Sequence, residues 1–426
     1  MNVNKKLIAI CSGAAALVAA IILIFVFALR TKSNAITVGF YSVNDSEKSA
    51  IEECLNILND GQEKPYKINY IEYDSSLALA EQISLSRRHS PDFVFMTSGL
   101  EADNLVQSFP KKIKAKSFFD SSSISAYTSS LRGKSKRNEA GDGLVQLPLL
   151  SDFMEIDIDR SVLSATGTEI IANWDDIERF ARRSRQFISP VMVFAGRDDA
   201  TLINTVGALT ESLTSSRQLN EATRTLLALD ANAKNLEQLY YDAISSLSND
   251  PSAPLYAAMQ ALGRWICVDQ TMPNDALNLT LTDVFNYMDF KTAAVVLMTL
   301  SEHRNAPYDD ISRYSSIYYP SEAAPEMRVF ASRTVIAVPL TTQKNKLNFV
   351  QNLSSSEIQK TLARSSGLAP ADASCQPADK QADETRYWIA ATNTPAVPLA
   401  DAVCPSPKAK AALASAIRSY VKGLDF

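Results

Sequence analysis

Short β-rich segments alternate with amphipathic helical segments just after an apolar N-terminal run in this 426-residue chain. Ile36–Tyr41 is rich in β-branched and aromatic residues, and Ser46–Leu58 places its apolar side chains at helical spacing. Tyr66–Tyr73 and Pro91–Met96 are predicted as the second and third strands, with a helix at Leu77–Leu85 between them. Repeated strand–helix alternation is typical of a parallel sheet covered by helices, so we expect an α/β fold.

The apolar N-terminal run, Leu7–Leu29, contains no charged residue. As a helix it would rise about 34 Å, which is enough to span a bilayer. Lys5 precedes the run and Arg30 follows it, and a cleavable signal peptide usually has a shorter apolar core. We therefore expect an uncleaved, single-pass signal anchor in the cell membrane, with the bulk of the chain extracytoplasmic. The small residues Ser33–Ala35 keep the alternative open that cleavage near Ala35 yields a secreted or periplasmic protein.

The composition is that of an ordinary globular protein, with 46% hydrophobic and 21% charged residues. A net charge of −5 argues against a nucleic-acid partner. The two histidines, His89 and His303, lie far apart in sequence, so a His-dependent triad or a multi-His metal site is not predicted. We expect a protein that is not an enzyme and that has no catalytic residues, metal or cofactor.

Five cysteines are few for a chain of this length. Cys54 and Cys267 lie in helical apolar patterns, so we expect both thiols to be buried. Cys375 and Cys404 flank one C-terminal segment of an exported chain, which leaves a disulfide between them as an open alternative.

Six segments carry short motifs that occur in one order over about 280 residues. In chain order they are Pro91–Val94, Leu144–Ile158, Asn173–Asp176, Phe290–Val295, Asn348–Gln359 and Ser366–Pro370. Together they resemble the bacterial extracellular solute-binding proteins of ABC importers, the large family that includes the maltose-binding and other sugar-binding proteins. Phe290 stands where that family has a glycine, and Ser301–His303 stand where the family often has a glycine–tryptophan pair.

The resemblance implies a two-lobed periplasmic-binding-protein fold, in which two α/β lobes joined by a hinge enclose a central cleft. We assign residues 1–35 to the membrane segment. The first lobe is expected to comprise residues 36–148 and 285–325, and the second lobe residues 149–284 and 326–426. Within this division the apolar strand that follows Lys291 returns to the first lobe, with the lysine ammonium group in water. The strand ending at Pro148 is expected to leave its sheet at that proline.

Ligands of open α/β sheets bind at the carboxyl ends of strands, beside helix N-termini. The candidate ligand-binding residues are therefore those that follow predicted strands or the predicted lobe crossing: Tyr41, Ser42, Asn44, Ser98, Gly99, Asp152, Phe153, Gly196, Asp198, Ser301 and Glu302. The resemblance implies capture of a small solute, most simply a sugar or oligosaccharide, and its delivery to the permease of an ABC importer. A membrane-anchored sensor or adaptor that binds a protein partner through the same fold remains the alternative.

Overall fold

The computed structural model describes residues 35–86, 90–125, 127, 137, 141–168, 170–323, 328–329, 332–391 and 398–426. The expected membrane anchor at residues 7–29 lies outside these residues, as does His89. Within the described ranges, no helix has both the length and the apolar composition needed to cross a membrane.

Most strands belong to one nine-stranded sheet in the order β2-β1-β3-β12-β6-β8-β7, with β9 and β13 also pairing with β6. The described strands are β1 (Ala35–Phe40), β2 (Lys67–Glu72), β3 (Phe93–Thr97), β4 (Phe119–Asp120), β5 (Gly143–Leu144), β6 (Leu147–Asp159), β7 (Met192–Phe194), β8 (Val295–Thr299), β9 (Tyr314–Ile317), β10 (Tyr319–Pro320), β11 (Arg328–Val329), β12 (Ser332–Pro339) and β13 (Ala369–Pro370).

Helices cover both faces of this sheet. The described α-helices are α1 (Asp45–Asp60), α2 (Leu79–Leu85), α3 (Leu100–Gln107), α4 (Lys111–Lys114), α5 (Arg160–Ala165), α6 (Trp174–Ser184), α7 (Asp199–Leu213), α8 (Ser216–Leu227), α9 (Leu236–Ser248), α10 (Tyr256–Gly263), α11 (Leu281–Asp289), α12 (Leu300–Asn305), α13 (Tyr308–Arg313), α14 (Lys344–Gln351), α15 (Ser356–Ser366), α16 (Lys380–Ala391), α17 (Leu399–Val403) and α18 (Pro407–Lys422). A π-helical turn, Arg264–Val268, continues α10, and 3₁₀ turns occur at Ser121–Ile124, Ala276–Asn278 and Asn352–Ser354.

Strand β6 connects two structural units. Up to Phe153 it pairs with β12, which in turn pairs with β3, and from Met154 onward it pairs with β8 and β9. We call β1, β2, β3, β12, β13 and the first part of β6 the first unit. The second unit contains β7, β8, β9 and the rest of β6.

This pairing corrects the expected lobe boundaries at two places. Strand β8 was expected in the first lobe, but Val295–Thr299 pairs with β6 and β7 of the second unit. Strand β12 was expected in the second lobe, but its residues pair with β3 in the first unit. Both assignments depended on the order of motifs along the chain, whereas membership in a sheet depends on which backbone groups hydrogen-bond.

The expectation that the chain leaves its sheet at Pro148 is also wrong. Pro148 lies inside β6, opposite Ile336, and the next paired positions are Leu150 and Val335. The register therefore shifts by one residue at this point, which is a β-bulge. Because proline lacks an N–H, a bulge is one of the few places where an internal strand accepts it.

Each unit has a hydrophobic core on both faces of its part of the sheet. In β3 the side chains alternate: Phe93 and Phe95 pack in one cluster with Ile36, while Val94 and Met96 pack in the cluster on the opposite face. Helices α14 and α15 complete the first of these clusters, and α17 and α18 instead pack in the large cluster of the second unit.

Lys291 occupies a backbone conformation that favours glycine. It follows α11 and the helix C-cap Phe290 with a φ of 57°, in the left-handed region. Its side chain is exposed, and the residues from Ala293 to Met298 are buried, as the apolar run predicted. Phe290 stands where the family that the sequence resembles has a glycine, and the residue in the left-handed region is the next one, Lys291.

The cysteines differ in part from expectation. Cys375 and Cys404 are both free thiols, so the disulfide left open above is not formed. Cys375 lies beside Asp372, whereas Cys404 packs in the core of the second unit. Cys54 is buried as predicted, but Cys267 is exposed because it lies on the outer side of the π-helical turn.

Candidate functional site

The strand ends that were predicted to form the site meet where β6 passes from one unit to the other. β1 and β3 are parallel, so both of their carboxyl ends lie at one edge of the first unit. β8 runs antiparallel to β6, and Thr299 at its carboxyl end is opposite Met154. The carboxyl ends of strands from both units therefore face each other across this boundary. We call the polar cluster there, formed by Ser42, Asn44, Glu47, Asp152, Ser301 and Arg333, the seam.

Ser301 connects the two units through hydrogen bonds. Its backbone N–H donates to Asp152 Oδ1 at 3.0 Å, and its hydroxyl donates to Asp152 Oδ2 at 2.6 Å. Asn44 Nδ2 of the first unit donates to Ser301 Oγ at 2.8 Å. Ser301 is at the start of α12, where a free backbone N–H group is expected, so the Asp152 carboxylate also satisfies a helix terminus.

Arg333 provides the positive charge of the seam. Its guanidinium group forms an ion pair with Glu47, and its Nη2 atom lies 3.4 Å from Asp152 Oδ2. Glu47 and Asp152 are 0% and 1% exposed, so this arginine compensates two buried carboxylates. Burial raises the pKa of Glu47, the Arg333 charge opposes that rise, and the Asp152 charge adds to it.

Neither Glu47 nor Arg333 was among the residues predicted from the sequence. In the sequence, Glu47 is an ordinary third residue of a helix, and in the structure its carboxylate forms a capping box with Asn44. Arg333 lies 286 positions away from Glu47, and no local pattern marks it. The only available signal was a charged residue at the second position of β12, ahead of the buried apolar run Val335–Val338.

Asp198 and Glu302 act as helix caps. Asp198 Oδ1 accepts the backbone N–H of Thr201 at 2.7 Å, and Glu302 Oε2 accepts that of Thr299 at 2.8 Å. Thr201 Oγ1 lies 3.4 Å from Glu302 Oε1 and joins the two loops. Burial raises the pKa of Glu302 to about 7, and the negative charges of Asp198 and Asp152 contribute to the increase.

The two candidate glycines permit close packing. A Cβ atom on Gly99, whose φ is 148°, would lie 2.5 Å from the carbonyl oxygen of Asp401 in α17. A Cβ atom on Gly196 would lie 2.4 Å from the carbonyl oxygen of Ala276. Gly99 therefore allows a helix of the second unit's core to contact the first unit beside the seam.

The aromatic candidates lie inside the protein. Tyr41 is 2% exposed, and its hydroxyl donates to Glu101 Oε1 at 2.6 Å. Phe153 is also 2% exposed, and its ring centroid lies 5.0 Å from that of Tyr318. Ser98 uses its backbone N–H to pair with Thr334 at 2.8 Å. Neither Tyr41 nor Phe153 therefore presents an open aromatic face at the seam.

A second buried polar cluster lies further along β6, in the second unit. Glu155 and Asp157 are both 0% exposed, and His303 Nδ1 lies 2.9 Å from Glu155 Oε1 and 3.1 Å from Asp157 Oδ1. Ser316 Oγ of β9 lies 3.1 Å from Glu155 Oε1 and also bonds Asp157. We call these four residues the acid–histidine cluster. The sequence analysis predicted no metal site, yet Glu155, Asp157 and His303 are close enough to one another to bind a single metal ion.

Two cavities lie outside the seam. One of about 520 Å³ opens on the second unit and is lined by Ser189, Asp275, Asn278, Leu279, Asp283, Asn286, Tyr287, Phe290 and Thr292. The other, of about 200 Å³, is lined by Ile171, Ala172, Ser316, Ile317, Tyr318, Pro320 and Glu384, so it reaches the acid–histidine cluster through Ser316. None of the candidate residues predicted from the sequence lines either cavity.

The fold matches those of solved solute-binding proteins over almost the whole chain. The bacterial solute receptor AcbH aligns with 92% of this chain and 100% of its own, at a TM-score of 0.61 and 12% identity. RafE from Streptococcus pneumoniae aligns with 92% of this chain and 96% of its own, at a TM-score of 0.60 and 13% identity. A sugar transporter from Bacillus licheniformis, solved with stachyose, covers 92% of this chain and 96% of its own, with a TM-score of 0.59 and 12% identity.

These likenesses show that the chain has the two-lobed α/β fold of solute-binding proteins, as the sequence motifs predicted. The two units defined by β6 correspond to the two expected lobes, with the boundary corrections given above. No family model matches the chain, and no curated protein matches it.

Proposed function

We propose that this protein is an extracytoplasmic solute-binding protein, not an enzyme, that captures a carbohydrate-class solute between its units for an ABC importer. The observation that carries the proposal is the position of the seam. It lies where the strand carboxyl ends of both units face each other, which is the general ligand position in open α/β sheets. The described relatives of the fold support the solute class: AcbH is reported to prefer β-D-galactopyranose, and the Bacillus licheniformis protein was solved with stachyose.

The seam contains the chemistry that a sugar hydroxyl requires. Asp152 offers acceptor oxygens, Arg333 offers donors, and Asn44 and Ser301 offer both. In the conformation described, these groups bond each other, so a solute would have to replace the Asn44–Ser301 contact and part of the Asp152–Ser301 contact. The Asn44–Ser301 bond contributes about 1 kcal/mol to the closed arrangement, and the bond to the Asp152 carboxylate about 1.5–3 kcal/mol, so a solute that bonds both units can offset the loss.

The hinge of this mechanism is the segment of β6 around Asp152–Met154, where the strand changes partners from β12 to β8. Solute bound to both units would stabilise the closed arrangement, because only that arrangement makes contacts from both sides. The closed form would then dock on the importer's permease. The apolar run at residues 7–29 would hold the protein at the extracytoplasmic membrane surface.

The test is isothermal titration of the full chain, purified in detergent and refolded to remove copurified ligand. The panel contains galactose, raffinose, stachyose, maltose and chitin oligosaccharides, with amino acids as the comparison class. We expect saturable binding of at least one saccharide, weakened at least tenfold in Ser301→Ala. Arg179→Met, on the exposed face of α6, is the control for nonspecific effects. Failure of every saccharide with a folded sample would contradict the proposal.

The comparisons do not favour the alternative, a membrane-anchored adaptor on the same fold that binds a protein partner, but the titration distinguishes it from the receptor. Three of the six seam residues, Glu47, Asp152 and Ser301, are buried, and their side chains bond other residues of the seam. The aromatic candidates Tyr41 and Phe153 are also buried. A static, filled boundary is what such an adaptor would need, since its partner would bind the outer surface. The adaptor is favoured if no saccharide binds and the two units keep a fixed separation in solution.

A further inference from the structure

The acid–histidine cluster brings four polar atoms to nearly equal separations. His303 Nδ1 lies 2.9 Å from Glu155 Oε1, 3.1 Å from Asp157 Oδ1 and 3.2 Å from Ser316 Oγ. Ser316 Oγ lies 3.1 Å from Glu155 Oε1 and bonds Asp157 Oδ1 as well. Five of the six distances between these four atoms are therefore 3.2 Å or less. Three of these atoms, on Glu155, Asp157 and His303, can bind a metal, and their separations are similar to those around a four-coordinate ion with bonds of about 2.0–2.2 Å.

When both carboxyl groups are ionised, the protein's own hydrogen atoms do not satisfy these contacts. The Ser316 hydroxyl has one hydrogen, and a neutral His303 has one N–H, so at most two of the five contacts are ordinary hydrogen bonds unless a carboxyl group is protonated. Asp157 Oδ2 is buried and has no hydrogen-bond partner among the described residues. The side chains thus present more acceptor capacity than the described protein groups fill.

Apart from His303, no basic side chain among the described residues contacts the two carboxylates directly. Arg304 is nearby, but its Nη2 atom donates to Asp379 Oδ1 at 2.8 Å and to Gln381 Oε1 at 2.9 Å. Gln381 in turn donates to Glu155 Oε2 at 3.0 Å. A buried charge is normally paired or bound to a metal, so a pair of adjacent buried carboxylates with a histidine calls for an explanation.

We propose that Glu155, Asp157 and His303 bind a divalent transition-metal ion, of which Zn²⁺ is the representative probe. Imidazole and carboxylate are the ligands that Zn²⁺ takes from proteins, and two carboxylates with a neutral histidine balance its charge. Ser316 would position the carboxylates through its hydroxyl group, and Gln381 would hold the outer oxygen of Glu155.

The neighbouring cavity provides a route to this site. Ser316 lines the cavity of about 200 Å³ and also contacts Glu155, Asp157 and His303, so an ion entering the cavity reaches the ligands past a single side chain. Tyr318 and Glu384 lie on other walls of the cavity. The cavity's polar groups would supply water or solute to any coordination position that the three protein ligands leave open.

Metal binding would tie three elements of the second unit together. Glu155 and Asp157 belong to β6, His303 belongs to α12, and Ser316 belongs to β9. Since α12 also carries Ser301 of the seam, the ion would fix the helix that provides one side of the proposed solute site. This role does not depend on which ligand, if any, occupies the seam.

The experiment measures metal binding directly on the full chain in detergent, after chelator treatment and in a Cys267→Ser background that removes the exposed thiol. Isothermal titration with Zn²⁺ should show one saturable site per chain, with Ca²⁺ binding at least 100-fold more weakly. Asp157→Asn keeps the side-chain volume and should weaken Zn²⁺ binding at least 100-fold. Asp175→Asn, at an exposed position in α6, is the matched control and should bind as the parent protein does.

Ser316→Ala keeps all three ligands and should weaken Zn²⁺ binding about 10- to 100-fold, which is the usual effect of losing an outer-shell partner. Substitution with Co²⁺ provides a spectroscopic signature: the parent protein should give the visible absorption of a low-symmetry four- or five-coordinate site, and Asp157→Asn should lose it. Circular dichroism in the presence of chelator confirms that each variant is folded. Either the lack of a saturable Zn²⁺ site in the parent protein or unchanged binding in folded Asp157→Asn would overturn the proposal.

Discussion

Replacing Arg333 with methionine tests how the seam is held together. Methionine retains much of the aliphatic stem but removes the charge that compensates Glu47 and Asp152. Those carboxylates are 0% and 1% exposed, and breaking a buried pair by removing one partner typically costs 3–5 kcal/mol. The Arg333 side chain is 15% exposed, so some solvent screening applies and we expect a loss of about 3 kcal/mol in the free energy of unfolding.

Urea unfolding at 25 °C and pH 8 measures this loss. With a slope near the upper end of the usual 1–3 kcal/mol per molar, a change of about 3 kcal/mol moves the midpoint by about 1 M. Arg179→Met is the matched control, because Arg179 pairs with Asp176 and its side chain is 55% exposed. Exposed pairs typically contribute less than about 1 kcal/mol, so the control midpoint should barely move.

The pH dependence gives the same prediction an independent check. Burial already raises the pKa of Glu47, and loss of the arginine charge should raise it further. A carboxyl group with a raised folded-state pKa contributes stability below its unfolded pKa and loses it as the pH rises through the folded value. The cost of Arg333→Met should therefore be smaller at pH 5 than at pH 8, and Glu47→Gln should recover part of it at pH 8. A cost below 1 kcal/mol at pH 8, equal to that of the control, would refute this reasoning.

Three further predictions concern other parts of the chain. Lys291→Gly should raise the free energy of unfolding by about 1 kcal/mol in urea, because glycine adopts a φ of 57° without the steric cost of a Cβ atom; a loss of stability would contradict this. Burial raises the pKa of the Glu211 carboxyl, so this group should cost stability as the pH rises above about 4.5. Glu211→Gln should reduce the pH-dependent loss of thermal stability, and the exposed Glu221→Gln should leave it unchanged. Burial raises the pKa of the Cys404 thiol to about 12, so a thiol reagent at pH 8 should label exposed Cys267 rapidly and Cys404 only after unfolding. Rapid labelling of Cys404 would contradict its placement in the core.

The local part of the fold was predictable because periodicity reports which residues face a core. The strand at Ala35–Phe40 and the helix at Asp45–Asp60 match their predicted ranges within two residues. The buried run from Ala293 to Met298 was also correctly predicted. Periodicity does not indicate which strands pair with each other, so β8 and β12 were placed in the wrong lobes. The hydrogen-bond pairing of β6 with strands of both units decides which strands are neighbours, and it joins positions that are far apart in sequence.

The sequence indicated only which residues of the candidate site lie near strand ends, and it did not indicate their hydrogen-bond and ion-pair partners. Asn44 and Ser301 come together because each follows the carboxyl end of a strand, and these ends face each other across the boundary between the units, where Asp152 of β6 accepts from Ser301. That ligands bind beside strand carboxyl ends is a rule that sequence reasoning can apply. The actual partners of these residues, Glu47 and Arg333, could not be found in this way, since a buried ion pair between distant positions leaves no local pattern. Similarly, the sequence left a Cys375–Cys404 disulfide open, and the structure shows both thiols free, with Cys404 in the core of the second unit.

The central claim is that the two units move relative to each other when a solute binds between them. The most direct measurement is the distance between spin labels on native Cys267 in the second unit and on Glu63→Cys in the first unit, in a Cys11→Ser background. Both label positions are exposed in the described structure. The account predicts that a saccharide from the panel shifts the distance distribution toward a single closed population. A single narrow distribution that no saccharide changes would contradict it and would favour the protein-binding adaptor.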